Sequence, residues 1–176
     1  MRIRRVRYGK SDARIEEFLK EFKPSGKIPV TKVQDWYKNN KGLPPRTFQF
    51  YCKESLIPSP KFEGRQGFYS FEDFYMLRDI MYILMWVKDS AKVRITKLRR
   101  VLKKYSKRKR KLVDTLLNVA DEFPIYYSDE VEEEDFYDKV CDEIWGRVFS
   151  DLENGVDLDK YSIFDVADEV RVQYAK

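Results

Sequence analysis

Between Gly42 and Phe71 the chain reads GLPPRTFQFYCKESLIPSPKFEGRQGFYSF, and most of its polar side chains are hydrogen-bond donors. Arg46, Thr47, Gln49 and Lys53 follow a proline pair, Lys61, Arg65 and Gln66 surround a glycine-bearing segment, and Tyr51 and Tyr69 add phenolic hydroxyls. No nucleophile–base pair, metal-ligand set or phosphate-cradling loop stands among them. Guanidinium, ammonium, amide and hydroxyl groups are the donors that contact a DNA backbone and the edges of its grooves. The chemistry expected of this stretch is polyanion recognition.

Such side chains need a rigid frame, and the flanking residues supply one. Pro44-Pro45 opens a helix that runs to about Ser55, because proline is tolerated at the first helical position. Within it Phe48 is expected to be core, packed against Trp36 and Leu56, while the Tyr51 hydroxyl reaches a phosphate. Ile57-Pro58-Ser59-Pro60 cannot be helical, and residues 62–69 suit a small hairpin with a glycine at its tip. Ser70 with Asp73 is an acidic variant of the capping box. The helix it starts extends to about Lys88 and sets Phe74, Leu77, Ile80, Met81 and Leu84 at core spacing.

Upstream, Val33, Trp36 and Tyr37 mark a helix over about 31–39, capped by Thr31 and ended at Gly42. Ser11-Asp12 caps an earlier helix through Phe22, with Ile15, Phe18, Leu19 and Phe22 on one face, before Pro24-Ser25-Gly26 breaks it. Residues 1–11 form a basic arm whose Arg4, Arg5 and Arg7 either enter a minor groove or serve only as a solubilising tail.

Downstream of the break at Lys88-Asp89-Ser90, a helix over about 94–105 turns Ile95, Leu98, Val101 and Leu102 inward. Lys107 to Lys111 either touch phosphates or end that helix favourably. Leu112, Val113, Leu116, Leu117, Ala120 and Phe123 then form an apolar stripe that Pro124 stops. An acidic start, 128–135, leads into a helix with a wide apolar face from Phe136 to Leu152, ended by Gly155. A last helix covers about 163–174, capped by Ser162 with Asp165. The fold class read from this pattern is mainly α with one small hairpin.

Totals narrow the function classes. The chain has 176 residues, two cysteines and no histidine. Cys52 and Cys141 stand far apart, which argues for a reducing compartment and against a disulfide framework, a zinc site or histidine-based catalysis. No cofactor or metal is expected, and the acidic run at 129–135 has neither the spacing nor the glycine turn of a calcium loop. Cys52 is expected to be partly exposed, with only Lys53 nearby to favour a thiolate. No apolar run approaches the roughly 18 residues of a membrane span. Residues 1–111 carry 30 Lys/Arg against 11 Asp/Glu, a net of +19, while residues 112–176 carry 5 against 19, a net of −14. A basic body invites a polyanion by counterion release. The acidic remainder either faces away from that polyanion or competes with it.

PPRTFQFYCKESLIP, then RQGFYSFEDFYMLRDI, then VRITKLRRVL together resemble the DNA-binding domain of MerR-type regulators over about residues 30–104. The matching positions are Pro45, Arg46, Thr47, Phe50, Tyr51, Leu56, Ile57, Pro58, Tyr69, Ser70, Asp73, Leu77, Ile80, Ile95, Leu98 and Leu102. The resemblance implies a winged helix-turn-helix domain with a small β-hairpin wing, followed by a helical C-terminal module. It departs from the family pattern at Gln49 and Gly67, where arginine is usual, at Pro44, which replaces a capping Ser or Thr, and in its first 29 residues, which have no counterpart. About five residues are added before Val93. The cysteines of the metal-sensing branch are absent, so metal sensing is not expected.

Four segments are therefore expected: an arm and short helix (1–29), the DNA-binding domain (30–105), a dimerisation helix (106–123) and an acidic helical module (124–176). The function expected is that of a transcriptional regulator, not an enzyme, located in the cytoplasm at the nucleoid. It binds double-stranded DNA at a pseudo-palindromic operator as a homodimer through Leu112, Val113, Leu116, Leu117, Ala120 and Phe123. RNA polymerase or another protein is the expected partner of the acidic module. The alternative is a DNA-binding protein of chromosome organisation, recombination directionality or phage DNA packaging, whose acidic module recruits a larger protein. A non-DNA adaptor is a third reading.

Overall fold

The computed structural model describes residues 13–88, 93–127 and 134–174, with backbone alone for 122–127 and 134–138. The fold is mainly helical with one small antiparallel sheet. The chain separates into two compact units, 1–81 and 82–176, so α5 groups with the C-terminal residues rather than with the expected DNA-binding segment. Expectations for residues 1–12, including Arg4, Arg5, Arg7 and the Ser11-Asp12 cap, lie outside the described residues, as does most of the acidic run 128–135.

The first unit contains α1 (Ala13–Lys20), β1 (Lys27–Pro29), α2 (Val30–Lys41), α3 (Pro45–Lys53), β2 (Lys61–Glu63), β3 (Gln66–Ser70) and the first part of α4 (Phe71–Lys88). Ile15 and Leu19 of α1 are buried, and the Phe18 ring lies 5.2 Å from Phe22, 6.1 Å from Trp36 and 6.0 Å from Phe74. From Trp36 the ring contacts continue through Tyr37 and Phe48 to Tyr69, joining α1, α2, α3 and β3 in one aromatic core. Offset and edge-on ring pairs are favoured over stacked faces, which fixes how these elements meet.

Strand β1 is absent from the sequence reading. Three residues ending in proline carry no alternation to detect, yet Lys27, Ile28 and Pro29 pair antiparallel with Ser70, Tyr69 and Phe68. The sheet order is β1-β3-β2. This strand also corrects the start of α2. Pairing holds Pro29 extended, at φ −59° and ψ 135°, directly before Val30. Thr31 therefore lies inside the first turn and caps nothing.

Three turns set the unit's geometry. Gly42, at φ 63°, donates its N–H to the Lys38 carbonyl, and Leu43 donates to Tyr37, closing α2 in the left-handed manner that glycine allows. Pro44 follows in extended conformation with ψ 143°, so α3 begins after only three residues. At the far end of α3 the left-handed position is taken by Ser55, at φ 57°, while Leu56 N–H returns to the Tyr51 carbonyl at 3.0 Å. Ser70 caps α4 as expected, its Oγ accepting from Asp73 N–H at 3.1 Å.

The second unit holds the rest of α4, α5 (Ile95–Lys104), a single 3-10 turn (Ser106–Arg108), α6 (Lys109–Tyr127), α7 (Glu134–Asn154) and α8 (Ile163–Tyr174). Helix α7 packs on both α5 and α8, and α6 meets α7 and α8. Val140, Ile144, Trp145, Val148, Phe149 and Leu152 of α7 are all buried. Gly155 ends α7 at φ 86°, and Ser162 Oγ accepts from Asp165 N–H, both as expected.

Two expectations are corrected here. Pro124 does not stop the helix, since α6 continues through it to Tyr127. The proposed dimer stripe is also spent inside the chain. Leu112, Val113, Leu116, Leu117 and Ala120 are each at most 2% exposed, because α7 and α8 lie against α6. A face already covered by its own chain has no apolar area left for a second copy. The side chain of Phe123 lies outside the described residues.

Opposite charges also meet within this unit. Arg108 donates from Nη2 to both carboxylate oxygens of Asp159 at 2.8 and 3.0 Å, and Lys111 lies 3.8 Å from the same carboxylate. Arg108 holds Asp159 below the usual carboxylate range. Arg100 approaches Glu153 at 3.3 Å, and Lys104 donates to the Glu153 carbonyl at 2.6 Å. Part of the acidic remainder thus answers basic residues of α5, the 3-10 turn and α6.

Candidate nucleic-acid interface

Helix α3 divides into two faces by spacing alone. Phe48, Tyr51 and Cys52, at i, i+3 and i+4, point inward, and the first two are buried. Arg46, Gln49, Phe50 and Lys53, at i, i+3, i+4 and i+7, share the opposite stripe, and all four are exposed. Thr47 is half-buried at the margin. The sequence reading identified the polar members of this stripe and left Phe50 out. Its signal was present, since the spacing that buries Phe48 and Tyr51 must turn Phe50 outward.

The hairpin that follows pairs Lys61 with Phe68, Phe62 with Gly67 and Glu63 with Gln66. A two-residue tip, Gly64-Arg65, joins the strands, with Gly64 at φ 63°. Positive φ at the first tip position alone is the pattern of a type II′ turn, whose twist matches that of paired strands. Lys61, Arg65 and Gln66 are exposed. Arg46, Lys53, Lys61 and Arg65 have no acidic partner among the described residues, whereas Lys27 is paired with Glu63. Gly67, which stands where arginine was expected, has a packing reason. A Cβ there would meet the Phe62 ring at 3.2 Å, Val30 at 3.2 Å and Pro60 at 3.3 Å.

Tyr69 is corrected as a contact residue, and Tyr51 is more buried than an outward contact residue would be. Tyr69 is 1% exposed, and its hydroxyl donates to the Pro58 carbonyl at 2.8 Å. Its register opposite Ile28 turns it into the core. Tyr51 is buried on the inward face of α3, and burial raises its pKa. The Tyr69 hydroxyl is used inside the core, and both rings join the core that carries α3.

Cys52 sits in the same joint. Its Sγ lies 3.4 Å from the Tyr69 hydroxyl and 3.9 Å from the Pro58 carbonyl. Burial pushes the thiol upward in pKa, with the Tyr69 contact opposing in part. That environment disfavours the reactive thiolate.

Among the described residues there is no cluster of Cys, Asp or Glu fit to hold a metal ion, and no helix is long and apolar enough to cross a membrane. No family model matches the chain, and neither curated proteins nor solved structures give a significant match.

Proposed function

We propose that residues 13–81 form a winged helix-turn-helix unit that binds double-stranded DNA. In this reading α3 enters the major groove and the β2–β3 hairpin lies on the neighbouring backbone. The observation that carries it is a helix pair joined by a three-residue turn with left-handed Gly42, whose second helix presents Arg46, Gln49 and Lys53 on one exposed stripe. Short glycine-bearing turns between two helices are the mark of this motif, and the second helix is the reader. Lys61 and Arg65 extend the cationic surface onto the hairpin. Base contacts are assigned to Arg46 and Gln49, and phosphate contacts to Lys53, Lys61 and Arg65.

The biological role follows the resemblance to MerR-type regulators: sequence-specific control of transcription. A pseudo-palindromic operator would require a dimer formed through surfaces other than the buried residues Leu112, Val113, Leu116, Leu117 and Ala120. The burial of the α6 stripe favours a second reading, in which one chain binds DNA alone and serves chromosome organisation, recombination or DNA packaging with a protein partner.

A binding selection from genomic fragments at near-physiological salt tests both. One enriched inverted repeat supports the regulator, and a specificity ratio of roughly 10³ or more over bulk DNA is expected of it. Broad recovery without a motif supports the second reading. No recovery, even at low salt, removes DNA binding.

A further inference from the structure

Phe50 is 47% exposed in the middle of an otherwise polar helical stripe. A large apolar ring at that place is at odds with a merely solvated face. Arg46 stands one turn before it and Lys53 nearly one turn after, with Gln49 adjacent. The same helix already buries Phe48 and Tyr51 on its other side, so Phe50 is not needed to hold α3 in place. Its one described ring neighbour is Tyr51, at 6.1 Å between centroids.

The flanking charges say what occupies this face. Arg46 and Lys53 have no acidic partner among the described residues, and a cation at each end of the stripe suits a partner that is anionic at its margins and apolar at one point between. The major groove of DNA has that pattern: phosphates line its walls, and the one apolar group on its floor is the C5-methyl of thymine. A protein partner with an apolar patch ringed by carboxylates is the competing occupant, and it predicts no dependence on a base methyl.

We infer that Phe50 is a specificity-determining residue that reads a thymine methyl group in the major groove. The inference rests on the DNA-binding reading of α3 and goes beyond it by assigning a base. Arg46 and Gln49, both on the N-terminal side of Phe50, present groups suited to guanine and adenine. The preferred site then contains a thymine within one or two base pairs of the purine that Arg46 or Gln49 contacts.

The test removes the methyl and nothing else. Random-sequence duplexes retained by the full-length chain are resynthesised with deoxyuridine in place of thymidine, first throughout and then one position at a time. Affinity is read by fluorescence anisotropy. Loss of about fourfold at one thymine is expected, the worth of burying a single methyl group. Phe50→Ala should bind thymine and uracil duplexes equally, while Phe50→Leu keeps most of the discrimination. Equal wild-type affinity for both duplexes overturns the inference and leaves DNA binding standing. Methyl dependence that survives in Phe50→Ala overturns it as well. Failure of the wild-type chain to retain any duplex overturns the DNA-binding reading, and the inference falls with it.

Discussion

The Tyr69 hydroxyl donates to the Pro58 carbonyl at 2.8 Å, tying the inner strand of the hairpin to the loop that leaves α3. The Tyr69 ring meets Phe48 edge-on at 6.4 Å, so the same residue touches α3 from inside. One side chain thus couples the two elements that carry the exposed cations. Tyr69→Phe keeps the ring contact and deletes the hydroxyl's hydrogen bond to Pro58 together with its weaker contact to Cys52 Sγ. A stability loss of about 1–2 kcal/mol is expected, because the Pro58 carbonyl is left without this donor. Urea denaturation measures it; an unchanged midpoint would mean that the bond contributes nothing.

The same joint makes stability depend on alkaline pH. Burial raises Cys52 above its ordinary 9.0, and Tyr51 and Tyr69 above their ordinary 10.0. Each group is neutral when protonated, so the folded state holds those protons more tightly than the unfolded chain. Their contribution is therefore complete below about pH 9 and is lost as pH rises beyond it. The Tm should be flat near neutrality and fall above about 9, and Cys52→Ala should move the onset upward.

Ser55 occupies a left-handed position, φ 57°, that glycine takes without steric conflict. For other residues that conformation costs roughly 1–2 kcal/mol, and glycine returns part of the gain by loosening the unfolded chain. Ser55→Gly is expected to raise stability by about 0.5–1 kcal/mol with no change in DNA affinity. Thermal unfolding beside a binding titration checks both statements; a destabilised variant would show that the serine side chain has a role of its own.

Arg46 and Arg65 should fail differently. If Arg46 contacts a base, Arg46→Ala lowers affinity by about 1–3 kcal/mol and relaxes the preference at one base pair. If Arg65 contacts a phosphate, Arg65→Ala weakens binding to all sequences alike and reduces the log–log salt slope by about one. Titrations at several salt concentrations separate the two. Identical behaviour of the pair would collapse the division between α3 and the hairpin.

Local chemistry was legible in the sequence and long-range pairing was not. Ser70 with Asp73, Ser162 with Asp165, and the glycines at 42, 64 and 155 act where their residue types said they would, because caps and tight turns are decided within four residues. Strand β1 escaped because its only signal is its partner, β3. The placement of Thr31 failed for the same reason, since that pairing sets where α2 begins. Periodicity showed that Leu112, Val113 and Leu116 face something apolar, but it cannot say whether the cover comes from the same chain or another. Here α7 and α8 supply it. At the site, Arg46, Gln49 and Lys53 were read from residue type, whereas Phe50 was given no role because polar groups alone were considered as contacts. Tyr69 was placed outward on the strength of a hydroxyl that the core satisfies at Pro58.

The sheet order β1-β3-β2 leaves the longest strand in the middle and a three-residue strand at each border. Lys27 and Pro29 stand on one border and Lys61 and Glu63 on the other, the residue types that discourage strand addition. A protein that docks by extending a sheet would find little backbone here to template on. Strand addition is thus the docking mode that this sheet is least suited to, at either border.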